Sequence, residues 1–312
     1  MAAASTVRSA ALTHLATQRS QHHASAPTCN TFTYHARHMR EQLSSSPNQP
    51  PMAFLIAFLG ALLAGSINTL SGNGSAITLT ILMELLGLPA DVANGTNRVG
   101  VLANSVGAGY AFNKAGRFKQ TAEMNRQMWR IMIITTIGAI VGIYLSLIIS
   151  NAAYKEIFRY LLVVMLVVIL VDPKRWLIVP EDQQPLSVWL TVPIFFALGI
   201  YGGFIQMGMG VFFLAVMVLA AHYEIIQANV VKVFVIIAYT IIAVAIFAWR
   251  DLIDWRIGFL MAAGQMMGGY FTARFAAVHP KAGLYAYRLL IVVIIGAIAK
   301  AFWPQLSELV NY

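Results

Sequence analysis

From residue 52 to residue 303 the sequence is a succession of apolar runs almost free of charge, at about 52–70, 75–88, 98–112, 128–150, 157–171, 187–205, 210–221, 230–249, 257–277 and 285–303. Few folds accept such a pattern. About 20 apolar residues are enough to cross a bilayer as a helix, and inside hydrocarbon a segment must satisfy its own backbone polar groups. Hydrophobic residues make up 59% of the chain and charged ones 11%, against about 25% charged in soluble domains. An ordinary soluble globule is excluded, and the expected class is an all-α, polytopic, multi-pass integral membrane protein of about 8 to 10 helical segments with the lipid bilayer as its surroundings. The runs at 75–88 and 210–221 are too short to span and should fold back on the run before each as broken helical hairpins.

The breaks are chemically distinctive. Asn68-Thr-Leu-Ser-Gly-Asn-Gly-Ser-Ala-Ile-Thr-Leu-Thr80 sets amides, hydroxyls and glycines inside apolar sequence, and Ala93-Asn-Gly-Thr-Asn-Arg98 follows it. In the other half Gly202-Gly-Phe-Ile-Gln-Met-Gly-Met-Gly210 precedes Ala228-Asn-Val-Val-Lys232. Unwound backbone at membrane depth survives only inside protein or against a water-filled cavity. Paired breaks at corresponding places in two halves point to a transporter's binding site.

An internal repeat supports that division. Ala93-Asn94 matches Ala228-Asn229, Gly138-x-x-x-Gly142-x-Tyr144 matches Gly264-x-x-x-Gly268-x-Tyr270, and Phe158-Arg-Tyr-Leu-Leu-Val-Val matches Tyr287-Arg-Leu-Leu-Ile-Val-Val, all in the same order. The expected organisation is a disordered N-terminal extension over 1–51, a first transmembrane repeat over 52–180 and a second over 181–312. The glycine pairs read as close helix packing. Basic residues concentrate at 114–130 in the first half, but one connection later, at Arg274, Lys281 and Arg288, in the second. If basic loops are cytoplasmic, that shift fits an inverted repeat.

The formal charge of +9 resides in loops and in the tail, so it sets membrane topology and does not imply nucleic acid. The tail carries Arg8, Arg19, Arg37 and Arg40 against one acid, Glu41. This fits an organelle transit peptide or, as the favoured reading, a bacterial frame begun upstream of Met39 or Met52. Its five histidines lack metal-site spacing, and Cys29 is the one cysteine of the chain. No metal, cofactor or disulfide is expected. Enzyme motifs such as His-Glu-x-x-His, Gly-x-Ser-x-Gly and a P-loop lysine are absent, so the chain is not expected to be an enzyme.

Neutral donors dominate the polar set: Asn68, Thr69, Ser71, Asn73, Ser75, Thr78, Asn94, Thr96 and Asn97 in the first half, Gln206, Asn229 and Lys232 in the second. Amides, hydroxyls and glycine-exposed N–H groups favour an anion, whereas a cation site wants clustered carboxylates. The same residues would also serve to cap broken helices and bridge the halves. Lys232 stands three residues after Asn229, where the helix is expected to be broken, and opens the run Val233–Ala248. It is either a functional intramembrane charge facing a central cavity or a lysine that snorkels to the interface. Arg98 ranks below it, because Asp91 is close enough in sequence to pair with it. Glu84 reads as the polar face of its short helix, with a proton carrier as the alternative. Trp129, Trp189, Trp249, Trp255 and Trp303 lie near run ends, as interfacial anchors do.

Over about residues 52–303 the chain resembles the sulfite exporter TauE/SafE family. The residues are Gly65-x-x-Asn68 leading to Gly72-x-Gly74-Ser75, Gly87-Leu-Pro89 and Ala93-Asn94-x-Thr96-Asn97, then Gly202-Gly203, Gly208-x-Gly210, Ala228-Asn229-x-x-Lys232 and Ile253-Asp254-Trp255. Asn73 stands where the family usually has glycine, Thr80 where it commonly has proline, and Gln206 where glycine is usual. The resemblance implies a secondary transporter in the cell's inner membrane, exporting a small anionic substrate such as sulfite or an organosulfonate. The expected substrate-binding residues are Asn68, Ser75, Asn94, Asn97, Gln206, Asn229 and Lys232. A transporter of another substrate class or a non-transport scaffold is the alternative, and the sequence leaves a homo-oligomer open.

Overall fold

The computed structural model describes residues 51–117, 122–170, 187–221, 223–279 and scattered positions between 281 and 296. The expected tail lies outside these residues except for Pro51, as do the expected boundary between the halves near 180 and most of the last apolar run. Every regular element among the described residues is helical. They are α1 (Pro51–Ser71), α2 (Gly74–Thr80), α3 (Ala90–Lys114), α4 (Ala122–Ile148), α5 (Asn151–Leu170), α6 (Val188–Phe204), α7 (Met209–Ala215), α8 (Ile225–Trp249) and α9 (Trp255–Val278). Three stretches, Pro51–Ser71, Asn125–Ile148 and Ile225–Trp249, are long and apolar enough to cross a membrane.

The polarity of the unit is that of a protein in lipid. Leu55, Leu59 and Leu63 on α1, Ile133, Ile137 and Ile140 on α4 and Phe259 and Phe271 on α9 are exposed, while asparagines, threonines, an arginine and a lysine are buried. Trp189, Trp249 and Trp255 stand exposed at or near helix ends, where indoles suit a membrane interface.

Both short runs fold back as expected. Gly74 lies so close to α1 that a Cβ there would sit 2.0 Å from the Ala64 carbonyl oxygen, and one at Gly60 would meet the Ile81 side chain. In the second hairpin the rings of Phe195 and Phe213 meet edge to face at 5.4 Å and those of Tyr201 and Phe212 at 5.1 Å. Each returning helix has seven residues and then loosens into one π turn, Ile81–Leu85 after α2 and Val216–Ala220 after α7.

The expected start of the following helices needs correction. α3 begins at Ala90 and α8 at Ile225, so 93–98 and 228–232 are helical turns, and the break expected at Asn229 is absent. Asparagine weakens helices because its side chain competes for nearby backbone. Here Asn94 donates to Phe204 O, far away in sequence, and Asn229 divides its amide between Leu70 O of the other half and Ile225 O one turn back in α8, so the remote carbonyls offset part of that competition.

Glycines set the crossings. Cβ atoms at Gly138 and Gly142 of α4 would stand 2.3 and 2.0 Å from the carbonyl oxygens of Phe196 and Ile200 on α6, and those at Gly264 and Gly268 of α9 would stand 2.7 and 2.1 Å from Phe58 and Leu62 oxygens on α1. The matched glycine pairs are packing residues, as expected. Helix directions follow from the same contacts. Gly109 of α3 lies against Val233 of α8 while Gly95 lies against Phe247, so α3 and α8 run antiparallel. Arg117, just after α3, donates to Ala277 O near the end of α9, and Thr96 Oγ1 near the start of α3 accepts from Asp254 N before α9. α3 and α9 therefore run parallel.

Candidate functional site

The two hairpin tips touch backbone to backbone. A Cβ at Gly72 would stand 2.4 Å from both Cα and C of Gly210, and one at Gly210 would stand 2.5 Å from Cα of Gly72. Glycine is required at 72 for a second reason, its φ of +81°, where a side chain costs energy. The second tip turns through Gln206 at φ 59° and Gly208 at φ 69°, and the Tyr201 hydroxyl braces it by donating to Met207 O. Gln206 thus holds a left-handed conformation that glycine adopts without penalty, which gives a backbone reason for the glycine usual at that position.

A helix that stops inside a membrane leaves its last carbonyls without partners. Here each half supplies them to the other. From α3, Arg98 donates through Nη1 to Gly202 O (2.8 Å) and through Nη2 to Gly203 O (2.7 Å), and Asn94 Nδ2 donates to Phe204 O (3.1 Å). From α8, Lys232 Nζ donates to Asn68 O (3.1 Å) and Thr69 O (3.2 Å), and Asn229 Nδ2 donates to Leu70 O (3.2 Å). Within each pair the asparagine oxygen also accepts from the cation, Asn94 Oδ1 at 3.2 Å and Asn229 Oδ1 at 2.5 Å. Cations suit these positions because a helix C-terminus carries partial negative charge.

Both cations are essentially inaccessible, Arg98 at 0% and Lys232 at 1% exposure, and no carboxylate is buried among the described residues. Among the described residues these two basic side chains are therefore matched by neutral dipoles and not by acids. Arg98 additionally lies over the Phe247 ring at 5.6 Å. Its expected partner, Asp91, is replaced by the carbonyls of the opposite hairpin. Lys232 is likewise not presented to a cavity, because its ammonium makes three bonds to protein oxygens.

A second polar group lies between α1, α2, α3 and α9. Asn104 is fully engaged: Oδ1 accepts from Asn68 Nδ2 (2.8 Å), and Nδ2 donates to Gly65 O (2.9 Å), Gln265 O (3.0 Å) and Thr69 Oγ1 (3.3 Å). Asn97 Oδ1 accepts from Thr78 Oγ1 at 2.6 Å. Its Nδ2 has no partner, nor do either side-chain atom of Asn73, either of Gln265, Arg98 Nε or Gln206 Oε1. Such orphans are uncommon in folded proteins and call for a reason.

The seven residues expected to bind substrate are all buried, but they divide. Asn68, Asn94, Asn229 and Lys232 have donors engaged by protein oxygens. Gln206 Nε2 reaches Thr240 Oγ1 at 3.3 Å, and Ser75 lies in α2, its carbonyl accepting from Thr78. Asn97 keeps a fully buried donor nitrogen without a partner, and Gln206 a fully buried acceptor, Oε1. The sequence reading underrated Arg98 and did not single out Asn104 or Gln265. Asn104 lies seven residues after Asn97, two turns along the same face, a signal that was available; Gln265 stood inside an apolar run, beside the glycine pair that reads as packing. Neither a groove of about 500 Å³ beside Val106, Tyr110, Asn113 and Asn125 nor a cleft of about 30 Å³ lined by Gln127, Arg130, Thr191 and Phe195 includes any of the seven. Among the described residues no group of three or more His, Cys, Asp or Glu could hold a metal ion.

Known proteins similar to the chain are named as membrane transporters. A "Probable membrane transporter protein ORF9" from Sinorhizobium sp is 24% identical over 225 residues, covering 72% of this chain and 83% of the relative. A "Probable membrane transporter protein" from Haemophilus influenzae is 25% identical, covering 70% and 83%. The Escherichia coli K12 "Probable membrane transporter protein YfcA" is 24% identical, covering 72% and 81%. No solved structure matches the chain. The model of the family described as "Sulfite exporter TauE/SafE" matches residues 57–300, and the chain belongs to that family of membrane proteins.

Proposed function

We propose that the protein is a secondary transporter, multi-pass in the inner membrane, that exports a small oxyanion such as sulfite or an organosulfonate. One observation carries the substrate class: Arg98 and Lys232 are buried without any buried carboxylate among the described residues. The carbonyl dipoles satisfy the hydrogen bonds of both cations but supply no full counter-charge, so an anion that enters between the halves meets a favourable field. Lys232 acts on that anion through its field, since its hydrogens are held by Asn68, Thr69 and Asn229. Asn94 and Asn229 hold the hairpin ends around the site, with Asn68, Ser75, Asn97 and Gln206 close to the tips.

The two repeats, 52–180 and 181–312, are read as inverted in the membrane. Support comes from the element order, in which a helix, a seven-residue return, a π turn and a 25-residue helix occur twice, and from the antiparallel course of α3 and α8. Direction follows from the membrane potential. Cell interiors are negative, and each charge moved through 100 mV is worth about 2.3 kcal/mol, so an anion leaves downhill without a coupling ion.

Proteoliposomes preloaded with labelled sulfite or a labelled sulfonate test the reading. Protein-dependent efflux should rise when the lumen is made negative. Efflux of a cation or neutral solute with none of either anion would overturn it.

A further inference from the structure

The unpartnered amides of the second polar group are not scattered. Asn97 and Gly100 lie one turn apart on α3, so they share a face. Gly100 leaves room for Gln265: a Cβ at position 100 would stand 2.0 Å from Gln265 Nε2 and 2.9 Å from its Cδ. The Gln265 backbone is fixed by close approach to Gly65, where a Cβ would stand 2.3 Å from Gln265 O, and by the bond from Asn104 Nδ2. A rigid crossing of α1, α3 and α9 thus holds the Gln265 carboxamide against α3, one turn from Asn97. Both residues are 0% exposed. Asn97 Nδ2 and both polar atoms of Gln265 have no partner. As placed, Asn97 Nδ2 and Gln265 Nε2 are therefore buried donors without an acceptor.

A purely structural amide at a helix crossing behaves as Asn104 does, with every polar atom bonded. Asn97 and Gln265 keep buried donors that no protein acceptor fills, an arrangement that costs stability. We infer that Asn97 and Gln265 are a specificity-determining pair whose amide N–H groups donate to the oxygens of the transported oxyanion, with Gly100 as the residue that admits the Gln265 side chain. The pair rests on the oxyanion reading and extends it with Gln265, a residue of the second half acting beside the first hairpin. Two planar amides offer directed donors without adding charge. They favour a ligand presenting several oxygens over a halide of equal charge, which has no fixed acceptor geometry.

The test compares Gln265→Met with wild-type protein in the same liposomes, measuring the KM and maximal rate of sulfite efflux and the unfolding midpoint in detergent. An apolar side chain of similar length removes two unpartnered buried atoms, so the midpoint should stay or rise while KM rises about tenfold or more. Chloride flux should change less than sulfite flux. Gly100→Ala provides a second variant in which Gln265 itself is intact but displaced, and it should raise KM in the same direction. A Gln265→Met protein with a lowered midpoint and wild-type KM would show a structural amide and overturn the inference, as would wild-type KM in Gly100→Ala. Wild-type protein that moves no oxyanion overturns the transport reading and this pair with it, whereas wild-type activity with unchanged variants overturns the pair alone.

Discussion

Replacing Gly72 and Gly210 by alanine tests whether the hairpin tips meet as described, because the two substitutions add a methyl to the same contact from opposite sides. At Gly72 the added Cβ would stand 2.4 Å from Gly210 Cα, and the backbone there has φ +81°. Main chain cannot rotate away as a side chain can. The overpacking term is about 1–3 kcal/mol, and a left-handed conformation adds about 1–2 kcal/mol for a residue with a Cβ. At Gly210 the Cβ would stand 2.5 Å from Gly72 Cα, but the residue is helical within Met209–Ala215. Alanine there recovers about 1 kcal/mol of helix propensity. The packing term is common to both, so Gly72→Ala should be less stable than Gly210→Ala by about 2–3 kcal/mol, roughly 30- to 150-fold in the unfolding equilibrium. The double variant should cost less than the sum by about 1–3 kcal/mol, since tips already pushed apart by one methyl have room for the other. Unfolding by sodium dodecyl sulfate in mixed micelles, followed by circular dichroism, measures all three. An additive double variant would refute a direct contact between the tips, and equal single costs would refute the left-handed turn at Gly72.

Lys232→Met should reduce oxyanion flux by about 30-fold, since a unit charge about 8 Å from the anion at an effective dielectric of about 20 is worth about 2 kcal/mol; wild-type flux in correctly inserted protein would remove Lys232 from the substrate's field. Asn104→Leu removes one accepted hydrogen bond and two N–H groups shared among three acceptors, which join α1, α3 and α9, and at about 0.5–1.5 kcal/mol for each of the three hydrogens it should destabilise by about 1.5–4.5 kcal/mol in the same micelle titration. In a Cys29→Ser background, Gly116→Cys and Lys281→Cys should react with an impermeant maleimide from the same side of the membrane, because Arg117 bonds Ala277 O and so sets the ends of α3 and α9 together; labelling from opposite sides would contradict that arrangement.

Much of the fold was legible because bilayer chemistry writes it into composition. A run such as Pro51–Ser71 has to be helical in lipid, and the shortness of 75–88 and 210–221 was enough to predict that each would return along the helix before it. Helix starts were less legible. The segment Ala93–Arg98 carries two asparagines, a threonine and a glycine, each a weak helix former, and local propensity argues against a helix there. Tertiary bonds decide otherwise: Arg98 and Asn94 reach the end of α6, and only from a continuous helix do they project together, four residues apart.

The same bonds explain why the roles of the two cations could not be read in advance. A sequence search for the partner of a buried charge looks for a carboxylate, and Asp91 is the acid nearest to Arg98 in sequence. The actual acceptors are main-chain carbonyls of Gly202 and Gly203 for Arg98 and of Asn68 and Thr69 for Lys232, groups that every residue carries and no residue type announces. What makes them available is the interruption itself, since a helix that stopped at Phe204 or Ser71 in lipid would leave its last carbonyls bare. The glycine-rich break and the distant cation are therefore one device. A break without a cation exposes acceptors to hydrocarbon, and a cation without a break has no neutral acceptors strong enough to hold it away from water. Finding the pairing from sequence requires asking which broken helix lacks a cap, and then which buried cation lies in the other half. Arg98 meets that criterion as fully as Lys232, and no acid is needed to account for either.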